Sequence, residues 1–185
     1  NNSLSSNTGL GINLVGGTEN GAGVTANDAI DADSGANSLQ NYPVLTTAST
    51  TGSQITITGS LNSTANSYYR IEFFASAGGD VSGHGEAETY LGFANVATDG
   101  SGNATINAVL TASVSAGEII TATATKSDAT NTSFTATSEF AANISATAAN
   151  AAPDITSNGG AAIAAINVAE NTTAVTTVTA TDADG

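Results

Sequence analysis

The sequence predicts an all-β fold, and two observations carry this prediction. Thr, Val and Ile recur in short runs that alternate with the two-residue period of a strand, and Gly and Asn separate these runs as they do in tight turns. No segment shows the 3.6-residue apolar period of an amphipathic helix. With 185 residues, the chain has room for one sandwich domain of about 100 residues and for parts of others.

The central segment, residues 43–144, carries the strand patterns. Ile55–Thr58 and Tyr69–Phe73 alternate apolar and polar residues most regularly. The remaining five candidate strands lie near Val44 and at Tyr90–Ala97, Ala104–Leu110, Ile119–Thr125 and Phe134–Phe140. Seven short strands with this spacing indicate an immunoglobulin-like Greek-key sandwich.

Two finer expectations concern this sandwich. The Gly-rich stretch Asp99-Gly100-Ser101-Gly102-Asn103 predicts a hairpin turn between the two strands that it joins. The alternation also predicts which apolar side chains form the core. We expect burial of Ile57, Ile71, Phe73, Ile106 and Ile120.

The charge balance excludes several classes of partner. Sixteen acidic residues face only two basic ones, Arg70 and Lys126, and the net charge is −14. Nucleic acids and anionic membrane surfaces need clustered Lys and Arg, so neither is an expected partner. No apolar run approaches the roughly 20 residues of a membrane span, so we expect no membrane insertion. The acidic excess favours bound cations, and calcium is the expected ion because it prefers oxygen ligands.

The flanking segments have a different composition. Residues 1–42 are rich in Asn, Gly, Ser and Asp and contain one strand-like run, Leu10–Val15. Composition alone fits either the last rung of a β-solenoid or a flexible linker. Residues 145–152 are interpreted as a linker, and Pro153 opens a third segment, residues 153–185, that predicts the beginning of a second sandwich domain. Because the chain begins with Asn1 and not with Met, we expect a processed or excised piece.

Oxygen ligands are densest in the N-terminal segment. Asp31-x-Asp33-x-Gly35-x-Asn37 follows Asp28 and places alternate side chains on one side of a turn, as calcium loops do. The downstream Glu of an EF-hand is missing. The alternative is an Asx turn without metal, since Asp and Asn cap turns by themselves. The candidate metal ligands here are Asp28, Asp31, Asp33 and Asn37.

Two patterns that suggest catalysis fail on inspection. Asp80, Ser82 and His84 lie in one Gly-rich loop, but residues spaced two apart in a loop rarely form a triad, and no Gly-x-Ser-x-Gly elbow is present. Glu86 and Glu88 resemble a glycosidase carboxylate pair, yet a chain without tryptophan and with few aromatics shows no evident sugar platform. We expect no catalytic residues and no enzyme activity. Glycosylation sequons occur, but so much Asn, Ser and Thr makes chance matches expected.

The third segment contains three short motifs: Ala152-Pro153-x-Ile155, Val168-x-Glu170-Asn171 and Val178-x-Ala180-Thr181-Asp182-x-Asp184-Gly185. Together they resemble the start of a bacterial cadherin-like repeat. In such repeats the Glu of the Glu-Asn pair and the Asp-x-Asp carboxylates bind calcium at domain junctions. The resemblance therefore implies calcium ligation by Glu170, Asp182 and Asp184.

The first two segments also carry characteristic motifs. They include Asn7-Thr8-Gly9-Leu10-Gly11-Ile12, Leu39-Gln40-Asn41-x-Pro43-Val44-Leu45 and Thr98-Asp99-Gly100-Ser101-Gly102-Asn103-Ala104. These resemble a module of large bacterial surface proteins in which a right-handed β-helix ends and an immunoglobulin-like sandwich follows. The resemblance implies a surface-displayed, non-catalytic role, and it favours the solenoid-end interpretation of residues 1–42.

The functional hypothesis is a non-catalytic structural or adhesive component of an extracellular bacterial surface protein. One form of it polymerises head to tail into a fibre, because an orphan strand such as Leu10–Val15 needs a sheet to complete, and a second copy offers one. In the alternative form the chain is a stalk or spacer of a calcium-dependent adhesin, and its partners are neighbouring domains. A further alternative is an accessory module of a carbohydrate-active enzyme.

Overall fold

The computed structural model describes residues 3–157, 169–170 and 177–182. The fold is all-β, as the sequence predicts, with 42% of residues in strands and 3% in helices. The chain divides into two compact units, Asn1–Ala148 and Ala149–Gly185. Among the described residues, no helix combines the length and the hydropathy of a membrane span.

The first unit is built from two facing sheets. One sheet has the strand order β5-β2-β1-β9, and the other has the order β4-β3-β6-β7, with β8 also paired to β6. All neighbours are antiparallel except β1 and β9. The strands are β1 Val44–Thr50, β2 Ile55–Asn62, β3 Tyr68–Ser76, β4 Thr89–Ala97, β5 Asn103–Leu110, β6 Ile119–Ser127, β7 Phe134–Thr137, β8 Ile144–Ser145 and β9 Thr147–Ala148.

The core lies between these two sheets and confirms the predicted set of buried side chains. β2, β3, β5 and β6 all contribute to one apolar cluster. Burying an Ile or Phe side chain stabilises the fold by about 1.5–3 kcal/mol, so these positions fix which face of each strand points inward. The five predicted core residues are fully buried: Ile57, Ile71, Phe73, Ile106 and Ile120.

The prediction that Asp99–Asn103 joins two neighbouring strands as a hairpin is wrong, because β4 and β5 belong to different sheets. The turn itself forms: Asp99 Oδ1 accepts hydrogen bonds from Ser101 N (2.8 Å) and Asn103 N (2.9 Å). Such a turn has the same local chemistry whether it joins neighbours in one sheet or crosses between two. β5 leaves the turn for β2, along which it pairs from Asn103 to Leu110.

Residues 3–42 form no strand over Leu10–Val15, so that expectation is wrong. A buried carboxylate replaces the strand partner: Glu139 accepts hydrogen bonds from Leu14 N (2.7 Å) and Thr25 N (2.8 Å). Leu14, Val24 and Leu39 are buried, the last at the end of a short 3-10 helix, Ala36–Leu39. The segment therefore docks on the sandwich of its own chain. β7 ends at Thr137, short of the predicted Phe140, and the chain then presents Glu139 to this segment.

The first unit extends past residue 144, because β8 ends at Ser145 and β9 lies at Thr147–Ala148, in residues that the sequence suggests are a linker. In the second unit, β10 Asp154–Ile155 pairs antiparallel with β11 Ala180–Thr181. Thr156 N also donates to Thr179 O at 2.9 Å. Much of the predicted beginning of a second sandwich domain, namely residues 158–168, 171–176 and 183–185, lies outside the described residues.

Candidate functional site

Three carboxylates of the N-terminal segment converge in the first unit. One oxygen from each of Asp28, Asp31 and Asp33 lies within 4.8 Å of the other two, and all three residues are partly buried. Among the described residues, this is the one such group of His, Cys, Asp or Glu side chains. Asn37, the fourth candidate ligand, lies exposed in the 3-10 helix at φ 48°, where its carbonyl accepts from Gln40 N.

Asn41 positions the loop that carries these carboxylates. Its side-chain Oδ1 accepts from Asp28 N (3.0 Å), and its Nδ2 donates to Asp28 O (2.7 Å) and to Asn62 O (2.9 Å). Its backbone N–H donates to Asp31 Oδ1 at 2.8 Å. Asn41 is only 2% exposed, so this polar side chain is buried between the loop and the end of β2. Sequence reasoning did not identify Asn41, since nothing local distinguishes it from the many other Asn residues.

A second buried link connects Asp31 to the core. The Ser63 hydroxyl contacts Asp31 Oδ2 at 3.0 Å and the Tyr69 hydroxyl at 2.8 Å, and it accepts a hydrogen bond from Gln40 Nε2 at 2.9 Å. Ser63 and Tyr69 are both fully buried. The carboxylate loop is thus tied to β3 through buried, hydrogen-bonded side chains.

The electrostatics of the cluster favour a cation. Burial is the main cause that raises the pKa of Asp31; hydrogen bonds from Asn41 and Ser63 oppose it, and the charges of Asp28 and Asp33 add to it. The pKa of Asp33 is raised by burial first and then by the charge of Asp28. Asp33 Oδ1 is moreover buried without a hydrogen-bond partner.

Neither basic side chain compensates this charge. Lys126 Nζ donates to Thr64 Oγ1 at 3.2 Å, and Arg70 is flanked by the rings of Phe93 and Phe134. An oxygen-only cluster with unbalanced negative charge fits a hard cation such as Ca²⁺. The three Asp residues supply part of the six to eight oxygens that Ca²⁺ takes, and backbone carbonyls or water supply the others in such sites.

The second unit contains the candidate calcium ligands that the cadherin-like resemblance implies. Glu170 and Asp182 are both exposed, and Asp182 follows directly after β11. Asp184, the third ligand implied by the cadherin-like resemblance, lies outside the described residues. Calcium ligation by this set of residues therefore stays a prediction.

The residues considered for catalysis make loop contacts. A hydrogen bond from the Ser82 side chain is the largest cause that lowers the pKa of Asp80, and the bond that Asp80 Oδ1 accepts from Ser82 N (2.8 Å) adds to it. The His84 ring contacts Phe140 and Tyr42: its Nδ1 lies 2.8 Å from Phe140 O, and the ring packs edge-on against Tyr42.

The glutamates of the suggested glycosidase pair are likewise engaged by backbone groups. Glu86 accepts hydrogen bonds from Ser6 N (2.6 Å) and Asn7 N (2.7 Å), which fastens the start of the chain to this loop. Glu88 Oε2 accepts from Ala77 N at 3.1 Å. Both carboxylates thus shape loops of the first unit.

Comparison with known proteins adds no relatives: no protein-family model matches the chain, and no curated protein sequence matches it. The function is therefore inferred from the geometry of the site and from the chemistry of its residues.

Proposed function

We propose that this chain is a non-catalytic structural or adhesive component of an extracellular bacterial surface protein, and that calcium fastens its N-terminal segment to its sandwich. One observation carries the proposal: Asp28, Asp31 and Asp33 bring their oxygens within 4.8 Å of one another without a basic partner. A cation between them turns a repulsive arrangement into an attractive one.

The hydrogen bonds around the cluster explain why such an ion stabilises the whole unit. Asn41 joins the loop to Asn62 on β2, and Ser63 joins Asp31 to Tyr69 on β3. An ion that binds only this folded arrangement adds its binding free energy to the stability of the unit. Extracellular modules bind calcium with dissociation constants of about 0.1–1 mM, so a site of three carboxylates completed by backbone carbonyls or water is compatible with an extracellular location.

The N-terminal segment favours the stalk or spacer form over the fibre form. Strand complementation through residues 10–15 requires that segment to leave its own unit. Leu14 is instead buried, and its backbone N–H is bonded to Glu139. A spacer in a surface protein needs rigid β domains, high negative charge for solubility and no catalytic centre, and this composition fits those needs.

A thermal-melting titration tests the calcium part of the proposal. The melting temperature is measured in EDTA and then in up to about 10 mM calcium. At about 10 mM calcium, a site with a dissociation constant near 0.1 mM adds about 2.7 kcal/mol to the free energy of unfolding. At roughly 2–4 °C per kcal/mol for a chain of this size, the melting temperature is expected to rise by about 5–11 °C.

Two variants make the titration specific. Asp31→Asn is expected to lose most of the calcium-dependent rise. Asp154→Asn removes one exposed carboxylate on β10 and is expected to keep the rise. Equal melting temperatures of the wild-type chain in EDTA and in calcium, or an undiminished rise in Asp31→Asn, would refute a stabilising ion at this cluster.

A further inference from the structure

Aromatic side chains are distributed very unevenly over the sandwich. The chain has nine aromatic residues and no tryptophan. The strands of the sheet β5-β2-β1-β9 contain none of them. Six lie on the outer side of the opposite sheet: Tyr68, Phe74, Tyr90, Phe93, Phe134 and Phe140. Although the sequence contains few aromatic residues, most of them are therefore concentrated on the outer side of this one sheet.

Arg70 organises one part of this face. Its guanidinium carbon lies 4.3 Å from the ring centroid of Phe93 on β4 and 4.3 Å from that of Phe134 on β7. Both rings are substantially exposed, at 46% and 41%. Arg70 Nε is buried without a hydrogen-bond partner. The two cation–π contacts thus hold the guanidinium between the rings of Phe93 and Phe134.

A groove of about 320 Å³ opens beside this row. Its lining includes three aromatic rings together with a carboxylate and two hydroxyl groups, from Phe74, Tyr90 and Phe140, and from Glu72, Thr123 and Thr137. Glu72 and Arg70 are two residues apart on β3 and therefore share one face of the sheet. Glu72, which lines the groove, is paired across β3 and β4 with Phe93, so the groove and the Phe93–Arg70–Phe134 row are neighbours on the same face of the sheet. We name them together the aromatic groove.

We propose that the aromatic groove binds a neutral polysaccharide. This inference rests on the proposed function, because it names the kind of ligand that an adhesive component would bind. Sugar rings present C–H faces that stack on aromatic side chains and hydroxyl groups that need hydrogen-bond partners. Phe93, Phe134 and Tyr90 supply the flat apolar surfaces. Glu72 accepts hydrogen bonds from hydroxyl groups, and Arg70 donates to their oxygens.

The charges favour a neutral sugar over other ligands. A chain of net charge −14 with Glu72 in the groove repels anionic polymers. A purely apolar ligand would bury the Glu72 carboxylate without a partner, which is costly. A peptide strand would pair with the free edge of β4, but a bulge beside Gly92, at φ 137°, interrupts the regular ladder there.

Affinity electrophoresis of the whole chain tests this inference with four soluble neutral polysaccharides, namely laminarin, xyloglucan, starch and hydroxyethylcellulose, and with alginate as the anionic polymer. Retardation by at least one neutral polymer is expected. Phe93→Ala and Tyr90→Ala should each weaken that binding at least about tenfold, as central aromatic contacts do in other interfaces. Glu72→Gln keeps the side-chain shape and should also weaken it.

Val109→Ala is the matched control, because Val109 is 58% exposed on β5 of the opposite sheet. It should bind as the wild-type chain does. Retardation by none of the neutral polymers, retardation by alginate alone, or unchanged binding of both Phe93→Ala and Glu72→Gln would overturn the inference. So would sedimentation showing that the chain self-associates and that Phe93→Ala abolishes this association, since the face would then be a contact between copies.

Calcium separates this inference from the proposed function. Each variant is also melted in EDTA and in calcium. A calcium-dependent rise in melting temperature without polysaccharide binding leaves the calcium-stabilised module standing and removes only the ligand. Polysaccharide binding without a calcium effect leaves the polysaccharide site standing and removes the calcium-stabilised module.

Discussion

Replacing Glu139 by Gln tests what holds residues 3–42 on the sandwich. The two oxygens of this buried carboxylate accept from Leu14 N at 2.7 Å and from Thr25 N at 2.8 Å. A Gln side chain keeps one acceptor and turns an NH₂ group towards the other backbone N–H. One charge-assisted hydrogen bond is lost, which costs about 1.5–3 kcal/mol. At roughly 2–4 °C per kcal/mol, the melting temperature should fall by about 3–12 °C.

Amide hydrogen exchange shows where that stability is lost. The backbone amides of Leu14 and Thr25 should exchange faster in Glu139→Gln, whereas Ile71 and Ile106 in the core should change less. Glu88→Gln is the matched control, because Glu88 is exposed and accepts a single backbone hydrogen bond at 3.1 Å. An unchanged melting temperature together with unchanged protection at Leu14 and Thr25 would refute the idea that Glu139 fastens the segment.

Two further predictions follow from the site and from the turn beside it. In the folded state the pKa values of Asp31 and Asp33 lie above the ordinary 3.8, so ionising these carboxyls lowers the free energy of unfolding. In EDTA, this loss of stability should be reversed as the pH falls through the raised pKa values towards 3.8. Thermal melts recorded over a range of pH should show this dependence of stability on pH, and Asp31→Asn should flatten it. Gly102→Ala should cost about 1–3 kcal/mol in denaturant unfolding, since Gly102 has φ 79° and an added Cβ would lie 2.3 Å from Ser63 O, whereas Gly100→Ala meets nothing within 4 Å and should be neutral.

The core could be predicted from the sequence because its signal is local. Alternation along β2 and β5 decides which face of each strand is apolar, and Ile57 and Ile106 are buried on those faces. The sheet partner of a strand is a non-local property. The Asp99 turn satisfies its own hydrogen bonds in either arrangement, so its residues do not reveal that β5 crosses to β2.

The structure of the N-terminal segment likewise depends on a residue that is distant in sequence. Leu10–Val15 looks like a strand, yet Glu139, more than 120 residues away in sequence, supplies the acceptor that a neighbouring strand would have supplied. The three Asp residues lie within six positions and could be grouped by spacing alone. Asn41 and Ser63, which hold them, come from separate parts of the chain and carry no local signal.

The aromatic groove could not be predicted from composition. The number of aromatic residues in a chain says how many rings exist, but their grouping depends on which strands become neighbours. Phe93 and Phe134 are far apart in sequence and meet at Arg70 only because β4 and β7 lie on opposite sides of β3 in one sheet.

Equilibrium dialysis against radioactive calcium tests the central claim most directly, because it counts bound ions independently of stability. The whole chain is compared with the double variant Asp31→Asn/Asp33→Asn and with Asp154→Asn, after circular dichroism has shown that all three keep their β structure. Any ion held by Glu170 and Asp182 is common to all three proteins, so the difference isolates the cluster. We expect one bound ion fewer in the double variant and no change in Asp154→Asn; equal numbers of bound ions in the wild-type chain and the double variant would contradict a calcium site at this cluster.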